Sequence, residues 1–82
     1  MIVSIISKRE RWEEKEEWIV EVCVYLPYGD RVFRVRKVVI DGREYNADDE
    51  YMRKWLFGLL IEARRVEVGR EGNIFVAHIS TA

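Results

Sequence analysis

The feature that most constrains this chain is the two-residue period of EEWIVEVCVYL, residues 16–26. Successive side chains of a β-strand point to opposite faces, so this alternation predicts a strand with two distinct faces. One face carries Trp18, Val20, Val22, Val24 and Leu26, and the other carries Ile19, Glu21, Cys23 and Tyr25. A second alternating stretch, RVFRVRKVVI at residues 31–40, follows the turn residues PYGD. The two stretches predict neighbouring antiparallel strands joined at PYGD.

The segment before this strand, KRERWEEKEEW, carries nine charges and two tryptophans in eleven residues. A helix is one interpretation, because Ser7 and Glu10 have the spacing of a capping box. A long hairpin with the N-terminal MIVSIIS is the other. Folding the chain about residues 12–15 pairs Val3 with Val24, and it pairs Arg11 with Glu16, so apolar residues and opposite charges both match. We favour the hairpin.

The register across PYGD has two solutions. A two-residue loop at Tyr28 and Gly29 pairs Val22 with Val35, whereas a three-residue loop with a bulge pairs Val22 with Arg34. The first is favoured because it brings apolar residues together. In both registers the acidic start of one strand lies beside a basic strand. Ion pairs between the strands therefore account for these charges without a bound ligand. Further along, Asp-Gly at residues 41–42 predicts a tight turn that leads into a short REY segment.

A helix is predicted over residues 47–65, with Asn46 or Asp48 as its cap. Its apolar stripe has helical spacing. The stripe consists of Tyr51, Met52, Trp55, Leu56, Leu59, Leu60 and Ala63. A short strand, a glycine-flanked turn at 69–73 and a last strand at 74–79 follow. The predicted fold is one α+β domain, residues 1–82, with an antiparallel sheet of about four strands, one helix on one face, and the order β-β-β-α-β.

Composition narrows the classes of function. A single cysteine excludes an internal disulfide and a cysteine-based zinc site. No apolar run is long enough to span a membrane, and MIVSII lacks the basic region of a signal peptide, so a soluble cytoplasmic protein is expected. Charged residues make up 35% of the chain and glutamine is absent, a balance typical of thermophiles. We expect no metal and no cofactor.

Five basic residues could grip phosphates beside aromatic side chains. They are Arg31, Arg34, Arg36, Lys37 and Arg43. The net charge of −1 gives no overall attraction to nucleic acid, and cross-strand ion pairs explain the same residues. Nucleic-acid binding is therefore the alternative hypothesis.

An enzyme is not expected. His78 is the single histidine and fits a surface position near a strand end, while Cys23 fits an ordinary thiol, although the favoured register places Arg34 opposite it. Asp48, Asp49 and Glu50 do not converge on a helix, so they predict capping and not a metal site. Trp12, near the charged hairpin tip, is the tryptophan with a possible role as a partner anchor.

One helix covers one face of a four-stranded sheet, which leaves the other face to be explained. That face is predicted to carry Ile19, Cys23, Tyr25, Val32, Val38 and Ile40. The solvent-facing side of an antiparallel sheet is expected to carry polar side chains. The sequence therefore predicts a non-enzymatic interaction module that buries this face against a second copy or another protein partner, most simply as a homodimer.

Overall fold

The computed structural model describes residues 1–56 and 58–82, and of these the side chains of Trp12, Tyr51 and Leu56 are outside the description. In the described residues the chain forms eight strands and one helix. They are β1 (Ile2–Trp12), β2 (Lys15–Tyr25), β3 (Arg31–Val35), β4 (Lys37–Ile40), β5 (Arg43–Asn46), α1 (Glu50–Leu56), β6 (Leu59–Glu62), β7 (Arg65–Glu71) and β8 (Ile74–Ser80). The first sheet has the order β3-β2-β1-β6, and the second sheet has the order β5-β4-β8-β7.

The charged segment at residues 8–18 belongs to a hairpin, as predicted. Strands β1 and β2 pair antiparallel over their whole length, from Ile2 opposite Tyr25 to Trp12 opposite Lys15. The predicted register is confirmed, because Val3 lies opposite Val24. Both of these valines are buried. The register in which apolar residues and opposite charges both match is therefore the one that the chain adopts.

Both registers predicted for the next hairpin are wrong. Val22 lies opposite Phe33 and Cys23 lies opposite Val32, so Arg34 is not the neighbour of Cys23. The connection takes five residues, 26–30, with a hydrogen bond of 3.2 Å from the Gly29 amide to the Leu26 carbonyl. The observed register differs from the favoured one by two residues, which leaves the side chains of β2 and β3 on their predicted faces. The pattern of inward and outward residues therefore could not distinguish the favoured register from the observed one.

The alternation breaks at Arg36, between β3 and β4. Val35 and Val38 are both buried although they are an odd number of positions apart, so the chain makes a bulge that turns β4 by one residue. The Arg36 amide donates to the Phe75 carbonyl at 3.0 Å, and the Arg36 carbonyl accepts from the Ala47 amide at 3.0 Å. The bulge thus transfers the chain from the first sheet to the second, where β4 runs parallel to β8.

The helix is much shorter than the predicted 47–65. It spans Glu50–Leu56, and its amide at Met52 donates to Asp49 Oδ1 at 3.2 Å, so Asp49 and not Asn46 or Asp48 is the cap. Gly58 has a φ of 71° and ends any continuation, since a right-handed helix cannot pass through that conformation. Strand β6 then pairs with β1. Tertiary pairing has overridden the helical spacing of the leucines.

The two sheets are joined through the backbone at a second corner. The Ala63 amide donates to the Met1 carbonyl at 3.0 Å, and the Arg64 amide donates to the Ser80 carbonyl at 2.8 Å, so β6 and β7 are one bent strand shared by both sheets. The cycle β1, β2, β3–β4, β8, β7–β6 and back to β1 closes a five-stranded barrel with α1 between its third and fourth strands. This is the connectivity of OB-type barrels.

The predicted fold therefore needs correction. Antiparallel pairing and a single helix in the described residues are confirmed, but one sheet with the order β-β-β-α-β is wrong, because the bulge and the β6–β7 bend fold the sheet onto itself. The buried core lies between the two sheets. It is built from Val3, Ile5, Val20, Val22, Val24, Val35, Val38, Tyr45, Ala47, Ala63, Ala77 and Ile79.

Candidate interaction surface and cleft

A row of uncharged side chains, apolar except for Ser4 and exposed at its two ends, crosses the outside of the first sheet. The strand registers place Val32, Cys23, Ser4 and Leu60 side by side on β3, β2, β1 and β6. Leu60 is 64% exposed and Val32 is 54% exposed. The same face also carries Ile2 and Tyr25, each 41% exposed, and the half-buried Ile6. We name these seven residues the outer apolar face.

The six residues predicted for a partner interface do not share one surface. Cys23, Tyr25 and Val32 lie on the outer apolar face. Val38 is fully buried in the core, and Ile40 packs against that core. The bulge at Arg36 is the cause. It directs toward the core the β4 residues that strict alternation assigns to the outer face.

Ile19 is the remaining residue of the predicted interface. It lies on the outside of the first sheet, yet it is only 8% exposed. It lines a shallow depression together with Glu10, Glu17 and Arg36. The apolar stems of long charged side chains can cover apolar surface while their heads stay in water. Ile19 is therefore covered by its own chain.

Sequence reasoning missed Ile2 and Leu60. The alternation of MIVSIIS assigns Ile2 to the face opposite Val3, so this residue could have been placed from the confirmed register. Leu60 could not, because its spacing matched the predicted helix stripe. Of that stripe, Trp55 stacks on Tyr45 with ring centroids 4.7 Å apart. The side chains of Tyr51 and Leu56, like that of Trp12, lie outside the described residues.

Ion pairs border the outer apolar face along one side. Lys8 Nζ lies 2.8 Å from Glu21 Oε2 and 3.4 Å from Glu10 Oε1. Arg34 also reaches Glu10, at 3.5 Å. The hydrogen bond to Glu21 raises the pKa of Lys8 above its ordinary value, so this ammonium stays charged. Cations and carboxylates alternate here, and the border has no single sign.

The five basic residues predicted as nucleic-acid contacts are dispersed over both sheets. Three of them are paired with carboxylates: Arg34 with Glu10, Arg36 with Glu17, and Lys37 with Glu71 at 2.7 Å and Glu44 at 3.5 Å. The Lys37–Glu71 hydrogen bond raises the pKa of Lys37 and lowers that of Glu71. Arg43 lies 5.8 Å from the Tyr45 ring centroid, and Arg31 is exposed.

A cleft lies on the other side of the first hairpin, next to the helix. It has a volume of about 330 Å³ and is lined by Ser7, Trp18, Glu50, Arg53 and Lys54. The Arg53 guanidinium lies 4.1 Å from the centroid of the Trp18 ring, and that of Arg9 lies 5.5 Å from it. Ser7 is buried, and its hydroxyl has no hydrogen-bond partner among the residues that the structure describes.

The single histidine lies in another depression of the surface. His78 is exposed and lies in a shallow depression with Asp41, Arg65, Glu67 and Ser80. Across residues 1–56 and 58–82, no three or more histidine, cysteine, aspartate and glutamate side chains are placed to hold a metal ion. In the same residues, no helix has the length and apolar character needed to cross a membrane.

Comparisons of the chain with protein-family models, with curated proteins and with solved structures found no match.

Proposed function

We propose that this protein is a small non-enzymatic interaction module that forms a homodimer through the outer apolar face. The observation that carries the proposal is the row from Val32 to Leu60, which crosses every strand of the first sheet and stays exposed at both ends. The solvated side of an antiparallel sheet is ordinarily polar. A contiguous exposed apolar patch usually marks a contact site.

A second copy is the partner that fits the composition of this surface best. Its bordering charges carry both signs and are already paired, so they neither attract nor repel a strongly charged partner. The net charge of −1 also gives little repulsion between two copies. Sheets pack face to face through apolar side chains at about 10 Å separation. A twofold symmetric pair would bury the same face on both copies.

The size of the face sets the expected strength of the dimer. Four strands spaced by about 4.8 Å and roughly five residues of about 3.4 Å each give a flat area of about 300 Å². A standard stable interface buries about 800 Å² per partner. Even when the side-chain surface and the polar rim are counted, the area of this face is smaller than that of a standard interface. We therefore expect a dimer in the micromolar range.

Nucleic-acid binding is the competing occupant, and the barrel connectivity favours it. OB-type barrels bind oligonucleotides across their second and third strands, which here correspond to β2 and β3 and include Tyr25 and Arg34. Fold alone does not establish function. The paired state of Arg34 and Arg36, and the acidic turn at Glu13 and Glu14, both weaken the attraction to phosphates. These features support the dimer over the oligonucleotide.

Sedimentation equilibrium of three proteins tests the dimer. The unchanged chain should show a concentration-dependent mass between monomer and dimer. Val32→Glu, which places a charge in the apolar row, should weaken self-association at least tenfold. Phe75→Glu is the matched control, because Phe75 is 52% exposed and lies outside this face, so its dimer should persist. Circular dichroism verifies that each variant is folded.

Two results would refute this assignment. One is a monomer at all concentrations up to about 1 mM, a limit at which binding is worth only about 4 kcal/mol. The other is saturable binding of labelled single-stranded DNA or RNA that weakens with rising salt and is lost in Val32→Glu. The second result would assign the face to a nucleic acid.

A further inference from the structure

The cleft between the first hairpin and α1 is distinct from the surface proposed for dimerisation. Ser7 and Trp18 belong to the side of β1 and β2 that also carries the core valines, opposite to the outer apolar face. A dimer formed through the outer face would leave this cleft open. Its function can therefore be tested separately from the oligomeric state.

Arg53 is held in place but keeps hydrogen-bonding capacity. Its guanidinium lies over the Trp18 ring at 4.1 Å, and this contact covers one flat face of the guanidinium while its N–H groups lie in the plane. Within the described part of the chain it donates one hydrogen bond, a long one of 3.4 Å to the Asp48 carbonyl. A fixed arginine with free donors favours an oxyanion that can accept two hydrogen bonds.

Ser7 provides an independent indication of a ligand. The residue is 3% exposed, and its Oγ has no donor or acceptor in the described residues. A buried hydroxyl without a partner is destabilising, and native proteins rarely tolerate one unless it has another role. Because Ser7 lines the same cleft as Arg53 and Lys54, one bound group could satisfy all three.

We propose that this cleft binds a small organic monocarboxylate with a planar apolar body. The carboxylate is held by Arg53 and Lys54, the body packs beside the pair formed by Trp18 and Arg53, and Ser7 donates its hydroxyl hydrogen to the ligand. The cleft volume of about 330 Å³ suits a molecule with a single ring. Glu50 lines the same cleft, and its negative charge disfavours a dianion such as phosphate.

Benzoate is the test ligand, and benzamide is its neutral counterpart of the same shape. Isothermal titration should give saturable binding of benzoate, with benzamide and inorganic phosphate each at least tenfold weaker. Arg53→Gln should weaken benzoate binding about tenfold, because the charge and the two-pronged hydrogen bonding are both lost. Arg31→Gln is the control, since Arg31 is exposed on β3 away from the cleft, and it should leave the affinity unchanged.

Ser7→Ala separates a binding role from a structural one. Removing an unsatisfied hydroxyl should raise the melting temperature of the free protein, while benzoate affinity falls. A rise in melting temperature with unchanged affinity would show that Ser7 does not contact the ligand and would overturn its assigned role. Absence of saturable benzoate binding, or equal binding of benzamide, would overturn the proposed site. Neither result depends on whether the protein dimerises.

Discussion

Two hairpins of this protein turn in the same way with different residues. The β1–β2 turn uses Glu13 and Glu14, with φ of 46° and 65°. The β4–β5 turn uses Asp41 and Gly42, with φ of 48° and 85°. Two-residue turns with both central residues at positive φ match the twist of the flanking strands, and they favour Asn-Gly or Asp-Gly. Only the second hairpin has residues suited to its turn.

The difference shows which part of each hairpin determines its register. Strands β1 and β2 pair over 11 residues each, with Ile5 and Val22 facing one another in the core. Strands β4 and β5 have 4 residues each, and their turn residues favour one register locally. We infer that packing imposes the first turn on unsuitable residues, whereas turn chemistry defines the second. Three predictions test this contrast.

The largest effect is expected from the core pair of the first hairpin. Ile5→Ala should lower the free energy of unfolding by about 3 kcal/mol, because Ile5 is fully buried and its truncation leaves a cavity. Val39→Ala in the second hairpin should cost less than about 1 kcal/mol, since Val39 is half-buried. Urea unfolding measures both. Similar losses at the two positions would contradict the contrast.

Replacing the turn residues should change the stability of the protein by an intermediate amount, with opposite signs in the two hairpins. Glu13→Asn with Glu14→Gly should stabilise the protein by about 1 kcal/mol, because these residues tolerate the left-handed conformation that glutamate resists. Gly42→Ala should destabilise it by about 1 kcal/mol, since Gly42 has a φ of 85°. Thermal unfolding would register the two shifts.

Gly69→Ala is the control for the glycine substitution. Space is open around an added Cβ at both Gly42 and Gly69, so no steric contact distinguishes them. Gly69 lies within β7 at an ordinary φ, and alanine there should be neutral or stabilising. A loss at Gly69 equal to that at Gly42 would show that backbone conformation is not the cause.

The same contrast explains what the sequence could predict. The first hairpin was predictable to the residue because apolar matching and charge matching agree on one register, which pairs Val3 with Val24 and Arg11 with Glu16. The turn at residues 41–42 was predictable from Asp-Gly alone. The bulge at Arg36 was not, because a single inserted residue leaves no local signal, and it reversed the faces of Val38 and Ile40.

The helix and the site show the same limit. Leu59 and Leu60 fit a helical stripe, but they form a strand because they pair with the edge of β1. Half of the predicted interface, Cys23, Tyr25 and Val32, could be placed by alternation before the bulge. The cleft at Trp18 could not, since it brings together Ser7 and Arg53, residues that no local period relates.

The smallest effect concerns pH and the second turn alone. The Thr81 hydroxyl donates to Asp41, and the Thr81 amide donates to Asp41 Oδ1 at 2.9 Å, which together lower the pKa of this carboxyl below its ordinary value of 3.8. Because the folded pKa is lower than the unfolded one, the ionised form stabilises the fold above the ordinary pKa, and this stabilisation is lost as the pH falls through the folded pKa. Asp41→Asn keeps a residue that tolerates positive φ and removes the titration. The stability difference between the two proteins, followed by thermal unfolding from neutral to acidic pH, should shrink below about pH 4; a constant difference would mean that the Thr81 contact holds the turn without the charge.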